Sequence, residues 1–70
     1  MSRRFGVVMK SLRALRGWTQ EEVAERAGVT IATVSNWENA VHSPRLDELP
    51  SIAAALGVTT PRLLELLGQR

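Results

Sequence analysis

Two helix-start signals, at Thr19 and Thr30, bracket a single stop signal at Gly28, and this arrangement constrains the chain more than any other feature. Thr19 can cap a helix, Glu22 three residues later can reach back to the Thr19 N–H, and Trp18 before the cap can pack against Val23. Gly28 suits the left-handed position just past a helix end. Only Val29 then separates it from Thr30, which can cap a second helix while Val29 packs against Val34. Two helices of about two turns each must therefore meet across a turn of a few residues. Ala24, Val29, Val34 and Trp37 face inward. Ile31, Ala32, Thr33, Ser35, Asn36 and Asn39 are left outside, a face of small polar residues without charge.

The flanking segments supply the rest of a core. From Arg3 to Leu15, Phe5, Val8, Met9, Leu12 and Leu15 recur at spacings of three and four, one stripe of a helix that Gly17 ends, with Lys10, Arg13 and Arg16 off the stripe in solvent. Residues 40–45 read as a loop. Leu46, Leu49, Ile52, Ala53 and Leu56 keep helical spacing up to Gly57, with two candidate starts, Ser43-Pro44 and Pro50; a turn followed by a start at Pro50 is favoured, because proline removes an N–H and restricts the residue before it. Thr60 as cap and Pro61 at the first position open a last helix, in which Leu63, Leu64, Leu66 and Leu67 precede Gly68. No segment has the alternation of a strand. The expectation is an all-α fold of five short helices in one domain, 1–70, with the helix-turn-helix unit at 19–39.

At 70 residues the chain has little interior to enclose a substrate pocket, and one His with no Cys removes disulfide frameworks and zinc centres. The longest apolar run, Ile52 to Leu56, is far below the ~20 residues of a membrane-spanning helix, so a cytoplasmic protein is expected. No metal or other cofactor is expected either. Residues 1–16 carry five basic side chains and no acid, residues 17–50 net −4 and residues 51–70 net +1, a basic end beside an acidic middle.

A helix, a tight turn and a second helix with small polar residues on its outer face make a shape that fits the DNA major groove. Small side chains at its leading end let the backbone approach the bases. The residues Thr19-Gln20-Glu21-Glu22-Val23-Ala24, Gly28-Val29-Thr30, Val34-Ser35-x-Trp37-Glu38-Asn39, Pro44 and Ile52-Ala53-x-Ala55-Leu56-Gly57-Val58 together resemble the phage repressor and Cro, or xenobiotic-response-element, family of DNA-binding regulators. The resemblance runs from about Leu12 to Leu67. It implies that Gln20 binds a phosphate and supports the recognition helix, that Thr30, Ile31, Ala32 and Asn36 approach phosphate or base edges with Thr33 and Ser35 beside them, and that Asn39 contacts the backbone. On chemical grounds Asn36 is the adenine reader, and Ile31 and Ala32 can pack on a thymine methyl. The site set is Thr30, Ile31, Ala32, Ser35 and Asn36 for bases, and Gln20, Thr33, Asn39, Arg45 and Arg13 for phosphates.

The chain departs from the family pattern in three places. Ala40 stands where Gly is usual, which hands the left-handed turn to Asn39. Val41 and His42 fill a loop that is often basic, leaving positive charge to Arg45 and the first helix. Ile31 and Ala32 replace polar readers, which gives DNA shape more weight.

Several residues have ordinary explanations. Trp18 and Trp37 are core residues by spacing. Glu22 belongs to its capping box, and Glu38 can pair with an arginine such as Arg13 or Arg16. His42 is a solvated loop residue, and Ser11, Ser35, Ser43 and Ser51 lack a His–acid framework, so no enzyme is expected. Surplus leucine in residues 60–67 points to a two-fold contact through Leu63, Leu64 and Leu67, which would set two recognition helices about 34 Å apart. The function expected is a stand-alone homodimeric regulator, a repressor or repressor/activator of the phage or restriction–modification controller type, on an inverted repeat. The alternative is a protein-interaction module, such as an antitoxin, with weak DNA binding.

Overall fold

A computed structural model describes residues 2–68, which form five helices: α1 (Ser2–Arg16), α2 (Gln20–Ala27), α3 (Ile31–Glu38), α4 (Leu49–Ala55) and α5 (Thr60–Leu66). A single 3-10 turn at Leu46–Glu48 leads into α4. No strand occurs among the described residues. The α2 cap forms as read: the Thr19 N–H donates to Glu22 Oε1 at 2.8 Å, and the Glu22 N–H donates to Thr19 Oγ1 at 3.1 Å. Thr30 Oγ1 accepts from the Thr33 N–H at 3.2 Å and opens α3. Pro50 sits in the first turn of α4, whose N–H groups have no intrahelical partner, in agreement with the later start. The α5 cap is displaced by one residue. Thr59, not Thr60, accepts from the Arg62 N–H at 3.2 Å, and Pro61 occupies the second helical position, where a missing N–H is equally harmless.

Four helices end the same way. The residue two past the last turn donates its N–H back across six residues: Trp18 to the Arg13 carbonyl, Val29 to Ala24, Val41 to Asn36 and Val58 to Ala53, at 2.8–3.1 Å. The residue before each of these donors must adopt positive φ. In α1, α2 and α4 it is glycine; after α3 it is Ala40, at φ 60°. Asn39 keeps φ −96° and donates its N–H to Ser35 at 2.9 Å, so α3 continues through it and the left-handed seat falls one residue later than expected.

The core gathers Phe5 and Met9 of α1, Val23 and Ala24 of α2, Val34 and Trp37 of α3, Leu49, Ile52 and Ala53 of α4, Leu56 after it, and Leu63 and Leu67 at α5. Phe5 and Trp37 meet edge to face with ring centroids 5.9 Å apart. Trp18 packs on the core only half-buried, and Arg26 of α2 lays its guanidinium 3.8 Å from the centre of the indole. Two expectations about apolar surface are corrected. Leu15 does not join the α1 stripe; it is 82% exposed, turned outward between Arg13 and Arg16, whose side chains make the contacts with the rest of the protein at that end. Leu63 and Leu67 are not interface residues, since both are buried in the chain's own core, and Leu64 packs half-buried against it. Exposed apolar surface lies instead in an open groove of about 470 Å³ between α1 and α5, lined by Val7, Val8, Ser11, Leu12, Leu15 and Leu66 among others.

α1 and α3 touch through backbone. Gly6 lies so close to the end of α3 that a Cβ would stand 2.8 Å from the carbonyl oxygens of both Trp37 and Glu38. Backbone cannot step aside as a flexible side chain can. Gly6→Ala should therefore cost about 3 kcal/mol and lower the Tm by more than about 12 °C in thermal melts. Ala40→Gly should do the opposite, gaining about 0.5–1 kcal/mol by relieving the left-handed alanine, visible as a rise of a few degrees. An unchanged Tm in both variants would refute this account of the α1–α3 junction and of the α3 terminus.

Candidate nucleic-acid interface

The site is built around a buried carboxylate. Glu38, the last residue of α3, is the buried charged residue of the core, its side chain 1% exposed. Arg13 of α1 grips it with two bonds, Nε to Oε2 at 2.7 Å and Nη2 to Oε1 at 3.0 Å. A third Arg13 nitrogen, Nη1, donates to the Trp18 carbonyl at 3.0 Å. Gln20, the first residue of α2, adds an amide N–H to Glu38 Oε1 at 3.0 Å. The carboxylate thus ties the middle of α1 and the start of α2 to the end of α3. Burial by itself raises the Glu38 pKa, but the hydrogen bonds from Arg13 and Gln20 and the charges of Arg13 and Lys10 outweigh it and hold the carboxyl below its ordinary value. The bond to Glu38 correspondingly raises the Arg13 pKa against the effect of its burial.

This clamp corrects one expectation. The sequence places Arg13 at a phosphate, but all three of its guanidinium nitrogens are engaged within the protein, with 20% of its side chain exposed. Arg16 does not reach Glu38. Its Nη2 donates to the Gly57 carbonyl at 3.0 Å, closing the end of α4, and its guanidinium stands 5.8 Å from the Trp18 ring. Lys10 is an outward cation of α1, as are Arg3 and Arg4 nearer its start; it is exposed and has no ion-pair partner among the described residues. Its signal in the sequence is its place three residues before Arg13, on the face of α1 that meets α3.

Helix α3 sets the remaining candidates along one outer arc. Ile31 is 47% exposed, Thr30, Ala32 and Asn39 are exposed, and Thr33, Ser35 and Asn36 are half-buried. Ile31 and Ser35 form one row along the helix and Ala32 and Asn36 the next. Several polar atoms on the arc already have internal partners. Thr30 Oγ1 and Thr33 Oγ1 lie 3.0 Å apart and share a hydrogen, and Ser35 Oγ accepts from Asn39 Nδ2 at 3.3 Å. The Asn36 side-chain amide has no hydrogen-bond partner among the described residues. Arg45 lies beyond the α3 loop, exposed and 3.3 Å from Asp47, an ion pair too solvated to hold its guanidinium in place. The base-directed set is therefore brought together on α3, with Gln20 behind it and Arg45 off to one side. No group of three or more His, Cys, Asp or Glu among the described residues could hold a metal, and none of their helices is long and apolar enough to cross a membrane.

Comparison with known proteins bears on the same segment. Residues 9–63 match the helix-turn-helix family model HTH_3. Antitoxin HipB of Escherichia coli strain K12 is 52% identical over 31 residues, which are 44% of this chain and 35% of HipB, so the similarity spans about a third of that relative's length. The structure of the clp gene regulator ClgR from C. glutamicum superposes with a TM-score of 0.84 at 27% identity, covering 96% of this chain and 87% of that one. The wild-type restriction-modification controller protein C.Esp1396I gives a TM-score of 0.84 at 25% identity, over 93% of this chain and 84% of its own.

The clamp makes stability depend on pH with a definite sign. Because the folded pKa of Glu38 lies below its unfolded value, its contribution is complete above the unfolded value and is lost as pH falls through the folded one. Urea midpoints measured from neutral to strongly acidic pH should hold steady and then fall below the ordinary glutamate range. Glu38→Gln should flatten this acid limb and lower stability at neutral pH by about 2 kcal/mol, since it leaves Arg13 poorly paired. An acid limb of unchanged depth in the variant would place its origin elsewhere.

Proposed function

The chain belongs to the HTH_3 helix-turn-helix family of DNA-binding transcription regulators, the xenobiotic-response-element type, and on that premise we propose that it is a sequence-specific regulator that reads duplex DNA with the outer arc of α3. The observation that carries this reading is the arc itself: an uncharged helix face held outward by a buried clamp, with the one uncommitted amide, Asn36, in its centre. Asn36 makes a bidentate contact with adenine N6 and N7. Thr30, Ile31, Ala32 and Ser35 approach neighbouring base edges. Lys10 takes the phosphate role first given to Arg13, joined by Gln20 through its second amide hydrogen and by Thr33, Asn39 and Arg45.

One recognition helix reads too few base pairs to single out a site, so the chain acts as a homodimer on an inverted repeat. With Leu63 and Leu67 in the core, the two-fold contact moves to the groove between α1 and α5, where Val7 is 60% and Leu15 82% exposed. Arg62 and Glu65, one turn apart on α5, present opposite charges that a two-fold axis would set against each other. Two bodies of 30 × 23 × 21 Å side by side are of a size to place their α3 helices about 34 Å apart. Repression by blocking a promoter is the simplest use of such a dimer. A second reading, an antitoxin-type interaction module, draws on the 31-residue similarity to HipB.

Selection of bound duplexes from a random pool, titrated at two salt concentrations, tests the proposal. An inverted repeat with one-turn spacing should be enriched. Asn36→Ala should remove the preference for adenine at its position in each half-site, while Lys10→Ala weakens all sequences alike and reduces the salt slope by about one. Leu15→Glu should yield a monomer in sedimentation equilibrium and weaken operator binding with no change in fold. No enrichment, with binding that vanishes as salt rises, would favour the interaction module instead.

A further inference from the structure

We propose that the end of α1 and the outer side of α2 form a docking surface for an acidic segment of a partner protein, with Arg26 and Arg16 receiving its carboxylates beside Trp18. The surface stands apart from the DNA-binding reading, because none of its residues belongs to α3. Arg26 is its anchor. The Arg26 guanidinium lies 3.8 Å from the centre of the Trp18 indole, and that of Arg16 stands 5.8 Å from the ring centre. Two like charges therefore converge on one ring, and neither has an ion-pair partner among the described residues. Such a pair repels itself until an anion comes between.

Local chemistry explains why Arg26 is left without a carboxylate. Its expected partner on the helix is Glu22, four residues earlier, but the Glu22 carboxylate is turned back to accept the Thr19 N–H at 2.8 Å in the α2 capping box. Glu25, next to Arg26 in sequence, projects about 100° away round the helix. Arg26 lies instead on the half-buried Trp18, which fixes the plane of its guanidinium and leaves that group without a hydrogen-bond acceptor among the described residues. A planar fork held in this way suits bidentate capture of a carboxylate. Arg16 spends Nη2 on the Gly57 carbonyl and keeps Nε and Nη1 for a second contact. Arg26 stands six residues after Gln20, about a third of a turn round α2 from it, and Gln20 turns its amide to Glu38 of α3. The patch thus lies off the α3 side of α2, where a protein carboxylate reaches it and a duplex held by α3 does not.

The test titrates a hexaglutamate peptide into the isotope-labelled full chain and follows side-chain resonances by NMR. The Trp18 indole N–H and the Nε–H groups of Arg26 and Arg16 should shift together and saturate, and the shifts should shrink as salt rises. Arg26→Ala should weaken binding about fivefold, the upper range for an exposed charge pair. Arg26→Lys should weaken it nearly as much, because an ammonium keeps the charge but neither the fork nor the flat stacking on the indole. Arg4→Ala, which removes a cation near the other end of α1, should leave the affinity of the patch unchanged. Arg26 is exposed, and thermal melts verify that its variants are folded. No shift at the patch, an affinity unchanged in either Arg26 variant, or a loss as large in Arg4→Ala would overturn the inference. A random DNA duplex that moves the same resonances at lower concentration than the peptide would assign the patch to nucleic acid and overturn it as well. The operator selection described above is untouched by any of these results.

Discussion

The Glu38 carboxylate is the point on which the arrangement of the first three helices turns. A charge taken so far out of water is tolerable only when its partners are complete, and here they come from two other elements: Arg13 from α1 and Gln20 from α2. No two of these helices can shift without leaving a donor or an acceptor unsatisfied. The ion pair is therefore better understood as a device for setting angle and register than as a large source of stability. It closes the C-terminal end of α3 from the inner side, so the outward arc from Thr30 to Asn39 is held from behind at that end.

Packing reinforces the same junction. Gly6 lets α1 come against the last carbonyls of α3, and the edge-to-face contact of Phe5 with Trp37 lies beside that junction. Arg16 extends the bracing to the end of α4 through the Gly57 carbonyl. α1 thus acts as a spine: Phe5, Gly6 and Arg13 hold the end of α3, Met9 joins the core, and Arg16 holds the end of α4. This explains why its apolar stripe is interrupted, with Leu15 turned outward while its neighbours Arg13 and Arg16 turn in to make polar contacts.

Local signals were the legible part. The Thr19 box, the Gly28 turn and the Thr30 cap depend on residues within a few positions of one another, and the structure contains each of them. The outer arc of α3 followed from the same spacing. What escaped the sequence was long-range. Nothing near Gly6 says that a backbone will pass close to it, and nothing near Arg13 says which of two arginines one turn apart meets Glu38. The leucines of α5 were misassigned because surplus apolar residues in a short helix look alike whether a second chain or the chain's own α1 and α4 covers them. Ala40 was misplaced for a subtler reason: asparagine tolerates positive φ better than alanine, but the six-residue bond from Val41 to Asn36 decides the seat by helix length, and local preference yields.

The uncharged arc of α3 separates two quantities that most DNA-binding surfaces mix. Condensed counterions leave a duplex in proportion to the cations that approach its phosphates, and on this domain the cations proposed for that role lie on α1 and beyond the α3 loop, away from the arc proposed to face the bases. Raising ionic strength would then weaken the grip on cognate and random sequence by nearly the same factor, leaving their ratio almost untouched. Such a domain can tune how long it dwells on a chromosome through its flanks alone, without altering which address it prefers.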